Sequence, residues 1–317
     1  MKTEEKKGKA LNADHKKEII KLLKEAAYSK DIAQVFNDFL EMTAITLSNQ
    51  IDFISRDKRE SRYMEIIKSY GEKQQKLFPE MFVNLVWALE DKAQTVGTED
   101  ILGVIFHELE LHDIYKGQFF TPQHISDFMA LVTCGDETQT AIKEQGYITA
   151  LEPCCGSGVM ITSFCKAMKK NNMNYQNQLV VTAVDIDIKC VHMTYIQLAL
   201  YGVPAVVIHG NSLTTEEFSR WYTPLYILNG WVWRQRCGIT AQYCASDEIL
   251  KRASEPMYAA FRQIEALIAD TPIEANLLPE ENTVETSQSP EKPAPIVINK
   301  PEPTLYEVGE QLSLFEP

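Results

Sequence analysis

The residues best suited to hold a ligand form a glycine-rich turn, Glu152-Pro153-Cys154-Cys155-Gly156-Ser157-Gly158. A predicted strand, 147–151, leads into this turn, and a predicted helix, 159–169, follows it. Glycine lets the backbone approach a ligand closely, and the amides at the start of a helix favour a negative group. Asp185 ends the next predicted strand, where a carboxylate can accept hydrogen bonds from ribose hydroxyls. Such a turn often serves packing alone, but together with Asp185 it predicts a nucleotide-like ligand.

Short β-rich runs alternate with helical stretches after about Gly117. The predicted strands are 147–151, 179–184, 205–208 and 224–228, and the predicted helices between them are 159–169 and 189–201. Because strands that alternate with helices form parallel sheets, the pattern predicts a doubly wound α/β domain. Before it, apolar residues recur at helical spacing, for example at Ile19, Leu22 and Leu23, so an N-terminal helical domain is expected.

Composition predicts five segments along the 317 residues. They are a disordered tail (1–12), a helical domain (13–115), an α/β domain (116–270), a disordered linker (271–309) and an apolar C-terminal tail (310–317). The linker is rich in Pro, Glu and Ser and poor in aromatic residues, so it cannot bury enough apolar surface to fold. Only about 40 residues separate Trp231 from that linker, which leaves little room for further strands.

The net charge and the cysteine content limit the functional classes to which the sequence can belong. The net charge is −13, which argues against coating nucleic acid by bulk charge but not against a local basic patch. The seven cysteines form no Cys-x-x-Cys pair, so no metal site is expected, and buried thiols suit a reducing cytosol. The start, Met1–Lys7, is charged, and no apolar run reaches the ~18–20 residues of a membrane helix. The sequence therefore predicts a soluble, cytoplasmic protein with no membrane partner.

Four segments together resemble one protein family. Gly117-Gln118-Phe119-Phe120-Thr121-Pro122, the glycine turn, Asp185-Ile186-Asp187 and Gly210-Asn211-Ser212-Leu213 occur in the order typical of N6-adenine DNA methylases. The resemblance spans about residues 35–215. Within it, the sequence is similar in particular to the modification subunits of type I restriction systems. The resemblance implies a Rossmann-like fold that binds S-adenosylmethionine and acts on double-stranded DNA, of restriction–modification or mobile-element type.

The resemblance also implies which residues hold the cofactor. Thr121 and its neighbours would meet the methionine end, the glycine turn would wrap the molecule, Asp185 would hold the ribose, and Asn211 would face the adenine ring. The implied cofactor-binding residues are Phe120, Thr121, Pro122, Glu152, Cys155, Gly156, Ser157, Gly158, Asp185, Ile186 and Asn211. Core packing is the alternative role for the two phenylalanines.

The catalytic segment departs from the family pattern. The family places an Asn- or Asp-Pro-Pro-Tyr or -Phe segment at the end of the fourth strand, and this sequence contains none. At the corresponding place stand Asn229, Gly230 and Trp231, which are the predicted catalytic residues. They would hold an adenine that has left the base stack. The alternative is a turn whose tryptophans pack into the domain. The sequence leaves little room for later strands, so a fold truncated after the fourth strand and a separate specificity subunit are expected.

The C-terminal tail carries a second resemblance. Gln311-Leu312-Ser313-Leu314-Phe315 is similar to the pentapeptide by which bacterial proteins bind the replication sliding clamp. Leu312, Leu314 and Phe315 would anchor in an apolar pocket and Gln311 would add a polar contact. The tail could instead fold back onto its own domain. The alternative function is a catalytically inactive, methyltransferase-like binding module tethered to the clamp. Methylation of RNA or protein is a third possibility with no specific support.

Overall fold

The computed structural model describes residues 14–111 and 120–231. Its helices are α1 His15–Ala26, α2 Ile32–Ser48, α3 Arg56–Lys68, α4 Glu72–Gln75, α5 Leu77–Thr95, α6 Leu102–Glu108, α7 Gln123–Thr133, α8 Asp136–Gln145, α9 Val159–Lys170, α10 Tyr175–Gln178, α11 Ile188–Leu200 and α12 Pro224–Leu228. Its strands are β1 Ile148–Glu152, β2 Leu179–Asp185, β3 Ala205–Asn211 and β4 Glu216–Tyr222.

The first helix shows how the sequence produces the helical region. Asp14 caps it by accepting a hydrogen bond from the amide of Lys17 at 3.2 Å. Four of its apolar residues are buried, namely Ile19, Leu22, Leu23 and Ala26. The spacing of three and four residues places them on one face, which packs against α5. The helical periodicity predicted for this part of the sequence is confirmed.

The sheet has the strand order β1-β2-β3-β4. β1, β2 and β3 run parallel, with Glu152 opposite Ala183 and Asp185 opposite His209. The carboxyl ends of these three strands therefore lie along one edge of the sheet, which we call the carboxyl edge. β4 pairs with β3 in the antiparallel direction, so it returns to the opposite edge, here called the amino edge.

The two faces of the sheet are covered differently. In β2 and β3, odd-numbered residues such as Val181 and Val207 face the main hydrophobic cluster, which also contains residues of α2, α9 and α11. Even-numbered residues such as Val180 and Val206 form a smaller cluster with Tyr226 and Trp231. The helical region and the sheet thus share one core, because the same cluster runs through both.

Two predictions about the sheet need correction. Residues 224–228 form the helix α12, not the fourth strand, because Pro224 suits the first helical turn and Tyr226 packs inward. The fourth strand is Glu216–Tyr222. The second correction concerns the predicted parallel, doubly wound sheet. β4 joins β3 through a tight hairpin, so the sheet is mixed. The helices α9 and α11 contribute to the same hydrophobic cluster rather than covering opposite faces of the sheet. The first three predicted strands and the two helices between them are confirmed.

Among the residues that the structure describes, no helix is both long and apolar enough to cross a membrane.

Candidate functional site

The glycine turn connects the end of β1 to the start of α9. Gly156 and Gly158 adopt left-handed backbone conformations, with φ of 54° and 93°. A side chain at Gly158 would also approach the hydroxyl of Thr194 to 3.0 Å, so this position needs glycine for space as well as for conformation. The amide of Cys155 donates to the carbonyl of Val184 at 2.9 Å. These contacts hold the turn against the end of β2.

Asp185 ends β2 beside this turn. One carboxylate oxygen accepts from the amide of Gly156 at 2.9 Å, and the other accepts from the amide of Asp187 at 2.9 Å. Burial raises the pKa of Asp185 above its usual value. Glu152, at the end of β1, likewise has a raised pKa, chiefly through burial and in part through the negative charge of Asp185. Two partly desolvated carboxylates therefore meet at the carboxyl edge, where a cation would be favoured.

Asn211 ends β3 at the same edge. Its side-chain oxygen accepts from the amides of Leu213 at 3.0 Å and Thr214 at 3.4 Å, which closes the β3–β4 hairpin. The hydroxyl of Ser212 donates to the carbonyl of Pro153, so the hairpin contacts the glycine turn. The side-chain amide nitrogen of Asn211 is available to donate a hydrogen bond to a ligand. Ile186, close to the end of β2, is 63% exposed.

A cavity of about 280 Å³ lies next to the turn. Its lining residues are Asp100, Gly103, Val104, His107, Phe120, Thr121, Pro122, Gln123 and Val159. Phe120 packs on Phe106 with ring centroids 5.0 Å apart. A side chain placed at Gly156 would come within 3.1 Å of the Phe120 ring, so this ring lies directly against the glycine turn. Phe120 thus both packs into the core and closes the cavity.

The cavity also borders a buried carboxylate that the sequence analysis did not single out. Asp100 is 6% exposed and accepts from the amide of Gly103 at 2.7 Å and from Gln197 at 2.9 Å. The hydroxyl of Ser157 donates to it as well. Burial raises the pKa of Asp100. A signal for this network was present in the sequence, since Thr194 and Gln197 are polar residues in a predicted helix that is mostly apolar.

Asn229 lies at the amino edge, away from the cavity. β4 ends opposite Val206, near the start of β3, and α12 begins directly after it. The Asn229 amide donates to the carbonyl of Gln176 at 3.2 Å, just before β2 begins. Because a strand of seven residues spans about 20 Å, Asn229 and Gly230 are separated from the carboxyl edge by the length of the sheet. The structure therefore does not bring these predicted catalytic residues to the glycine turn.

Trp231 is a core residue. It is 0% exposed and belongs to the cluster on the even-numbered face of the sheet. Its ring meets Tyr147 edge to face, with centroids 4.9 Å apart. A side chain enclosed in this way cannot stack on a DNA base. The position of Trp231 fits the alternative of a tryptophan packed into the domain.

Residues 100–232, less than half of the chain, match the family model described as N-6 DNA methylase. This segment is therefore similar to the N-6 DNA methylase family. The match begins at Asp100, so the methylase domain includes the cavity and its buried carboxylate as well as the glycine turn. The likeness is to N6-adenine DNA methyltransferases in general, which act on DNA. Neither the curated proteins nor the solved structures contain a match to this chain.

Several predicted site residues lie outside the described residues. These are Gly117, Gln118 and Phe119 of the Gly-Gln-Phe-Phe-Thr-Pro segment and the clamp-binding residues Gln311, Leu312, Leu314 and Phe315. Within the described parts of the methylase domain and the helical region, no cluster of His, Cys, Asp and Glu could hold a metal ion.

Proposed function

We propose that the methylase domain binds S-adenosylmethionine along the carboxyl edge and in the adjoining cavity, as the methyl donor for N6 of adenine in double-stranded DNA. The observation that carries this proposal is the meeting of three separate segments at one place. Asp185 holds the amide of Gly156, and Phe120 packs against the same glycine. These segments are distant in sequence, and their convergence is typical of a ligand site rather than of packing alone.

The residues present fit this cofactor. The carboxylates of Asp185 and Glu152 suit a ligand that carries positive charge on its sulfonium and ammonium groups. Each carboxylate oxygen of Asp185 accepts one backbone hydrogen bond and retains a lone pair for a ribose hydroxyl. The side-chain amide nitrogen of Asn211 can donate a hydrogen bond to a purine. A cavity of about 280 Å³ is near the lower limit for a small-molecule site, so it would take the methionine end around Thr121. When bound, the cofactor supplies an electrophilic methyl group.

Replacing Asp185 tests the cofactor site. Asp185→Ala removes the acceptor for ribose and loosens Gly156, so we expect S-adenosylmethionine affinity to fall about 10- to 100-fold in titration calorimetry. Asp185→Asn keeps one oxygen and should lose less. The control is Asp57→Ala on an exposed part of α3, which should bind like the unaltered protein. Equal affinity of Asp185→Ala and the control would remove Asp185 from the site.

We propose that the protein methylates DNA in a restriction–modification or mobile-element setting together with a separate DNA specificity subunit. Support comes from the likeness to type I modification subunits and from the short segment between Trp231 and the predicted linker. The test is adenine methylation across the genome of a methylation-free bacterial host that carries this gene, with and without candidate specificity subunits. A new mark that requires Asp185 supports catalysis.

The second candidate is a catalytically inactive, methyltransferase-like module tethered to the sliding clamp. The placement of Asn229 and Trp231 at the amino edge favours it, because neither side chain is positioned to hold a target base. Direct binding of the full chain to the clamp would be measured with and without Leu314→Ala and Phe315→Ala. Clamp binding lost in these variants, with cofactor binding but no DNA mark in any host, would support this candidate over the enzyme.

A further inference from the structure

Two polar residues on α11 donate hydrogen bonds to backbone carbonyls of the glycine turn. Thr194 and Gln197 are both 0% exposed, and the other buried residues of this helix include Val191, Ile196 and Leu198. The Thr194 hydroxyl donates to the carbonyl of Gly156 at 2.9 Å. The Gln197 amide donates to the carbonyl of Ser157 at 2.8 Å. Buried polar groups in an apolar helix are costly unless they are paired, and here their partners are two successive carbonyls of the turn.

Gln197 uses its whole hydrogen-bonding capacity. Its oxygen accepts from the amides of Ile101 at 2.7 Å and Leu102 at 3.2 Å. Its nitrogen donates to Asp100 at 2.9 Å as well as to the turn. Because an amide side chain offers two donors and two acceptor sites, this set leaves it a single orientation. Asp100 in turn accepts the hydroxyl of Ser157. Ser157 is therefore held through both its side chain and its carbonyl.

These contacts decide where the amides of the turn point. The amides of Cys155, Gly156 and Gly158 donate to Val184, Asp185 and Cys155 in that order. Within the parts of the chain that the structure describes, the amide of Ser157 has no such acceptor. The peptide between Gly156 and Ser157 is trans, since none of the described bonds is cis. Its N–H therefore points opposite to the Gly156 carbonyl, which faces Thr194, and so away from α11.

We propose that Thr194 and Gln197, together with Asp100, are positioning residues that orient the glycine turn so that the Ser157 amide donates a hydrogen bond to the bound cofactor. This inference rests on the proposed binding of S-adenosylmethionine at the turn. The donor is preorganised, because the peptide that carries it is fixed before the ligand arrives. A side chain at Gly158 would approach Thr194 to 3.0 Å, which shows how closely α11 and the turn are fitted.

Removing the Thr194 hydroxyl tests the proposal. Thr194→Val keeps the shape of the side chain but leaves the Gly156 carbonyl without its donor, so the peptide can rotate. We expect S-adenosylmethionine affinity to fall about 10-fold in calorimetry at a temperature where the variant is folded. Thr194→Ser restores the hydroxyl and should recover most of the affinity. Gln197→Met, which removes both polar atoms, should weaken binding at least as much.

A matched variant separates positioning from general loss of stability. Thr223→Val removes another buried threonine hydroxyl, which donates to the carbonyl of Val203 at 2.7 Å just before β3, and it should lower the melting temperature while cofactor affinity stays within about 2-fold. Hydrogen exchange gives an independent readout. Ser157 is only 1% exposed, so the readout is the change in exchange of its amide: exchange should be slower with cofactor bound than in the free protein, and Thr194→Val should reduce that difference.

The outcomes distinguish the positioning role from the proposed binding of S-adenosylmethionine on which it rests. If the unaltered protein binds S-adenosylmethionine and folded Thr194→Val binds it equally well, the positioning role is wrong and the cofactor site stands. Protection of Ser157 that does not change on cofactor binding also contradicts the positioning role. If the unaltered protein does not bind the cofactor, both proposals fail together.

Discussion

At the scale of single residues, His192 is a buried group whose protonation makes stability depend on pH. It lies on α11 with its ring edge-on to Trp221, at a centroid distance of 4.9 Å. Its Nε2 has no hydrogen-bond partner among the residues that the structure describes. Burial lowers the pKa of His192 to about 3, and the positive charges of His209 and Arg59 act in the same direction, against the attraction of Asp187. The native structure therefore holds this imidazole neutral.

The lowered pKa predicts acid sensitivity. The unfolded chain takes up a proton at His192 near pH 6.5, whereas the folded chain does so only near pH 3. Stability is therefore fully present above pH 6.5 and is lost as the pH falls towards 3. Between pH 7 and pH 5 this residue should remove about 2 kcal/mol from the free energy of unfolding. His192→Phe keeps the ring contact and should flatten this part of the profile in urea titrations.

A surface histidine provides the comparison for this experiment. His124→Phe, at an exposed position on α7, should leave the slope between pH 7 and pH 5 as it is in the unaltered protein. If His192→Phe shows the same slope as His124→Phe, then His192 does not cause the acid sensitivity.

At the scale of elements, α6 must come close to the glycine turn. A side chain at Gly103 would lie 2.0 Å from a carboxylate oxygen of Asp100 and 2.5 Å from the hydroxyl of Ser157. Three donors hold that carboxylate in place, so it cannot move aside easily. Glycine is a poor helix former in general, and its presence in α6 follows from this approach rather than from helix propensity.

Gly103→Ala should consequently destabilise the protein despite the better helix propensity of alanine. We expect the free energy of unfolding to fall by about 2 kcal/mol or more, since the added methyl group displaces a buried carboxylate. Gly135→Ala is the matched change, because no atom lies within 4 Å of the position of its added carbon. Gly135→Ala should shift stability by about 0.5 kcal/mol or less. Similar losses for the two variants in urea unfolding would contradict the close contact.

At the scale of the whole molecule, the two edges of the sheet have different roles. The carboxyl edge carries Glu152, Asp185 and Asn211 beside the cavity. The amino edge carries α12 and the buried Trp231, which cover the even-numbered face. Arg59 of the helical region places its guanidinium 4.0 Å from the Trp221 ring of β4, so helical region and sheet also join at the outer strand. The proposed cofactor site and Trp231 are thus separated by the length of the strands.

This separation predicts that Trp231 affects stability and not cofactor binding. Trp231→Ala empties a fully buried site and should reduce the free energy of unfolding by about 3–5 kcal/mol. Trp87→Ala, at a position that is 50% exposed, should cost about 1 kcal/mol or less. Below its melting temperature, Trp231→Ala should bind S-adenosylmethionine as the unaltered protein does. A stable Trp231→Ala protein that fails to bind would place Trp231 in the ligand site after all.

Much of the local structure could be predicted from sequence. The buried faces of α1 and α2 follow from apolar residues at helical spacing, and β1, β2 and β3 follow from short apolar runs. The glycine turn and Asp185 were recognisable because backbone conformation and strand order restrict which residues can stand there. The family was recognisable from Phe120-Thr121-Pro122, the turn and Asn211 taken in order, and the family match confirms it.

Only the tertiary structure decided what the residues after β3 do. The apolar run at 224–228 is compatible with a buried strand or a buried helix, since periodicity does not separate the two in so short a segment. The position of this segment along the sheet depends on the β3–β4 hairpin, which reverses the chain and places Asn229 at the amino edge. The pairing of Gln197 with Asp100 was also decided by the tertiary structure, because these residues lie nearly 100 positions apart in the sequence. Sequence determined the local elements and the turn, and long-range pairing decided which side chains meet.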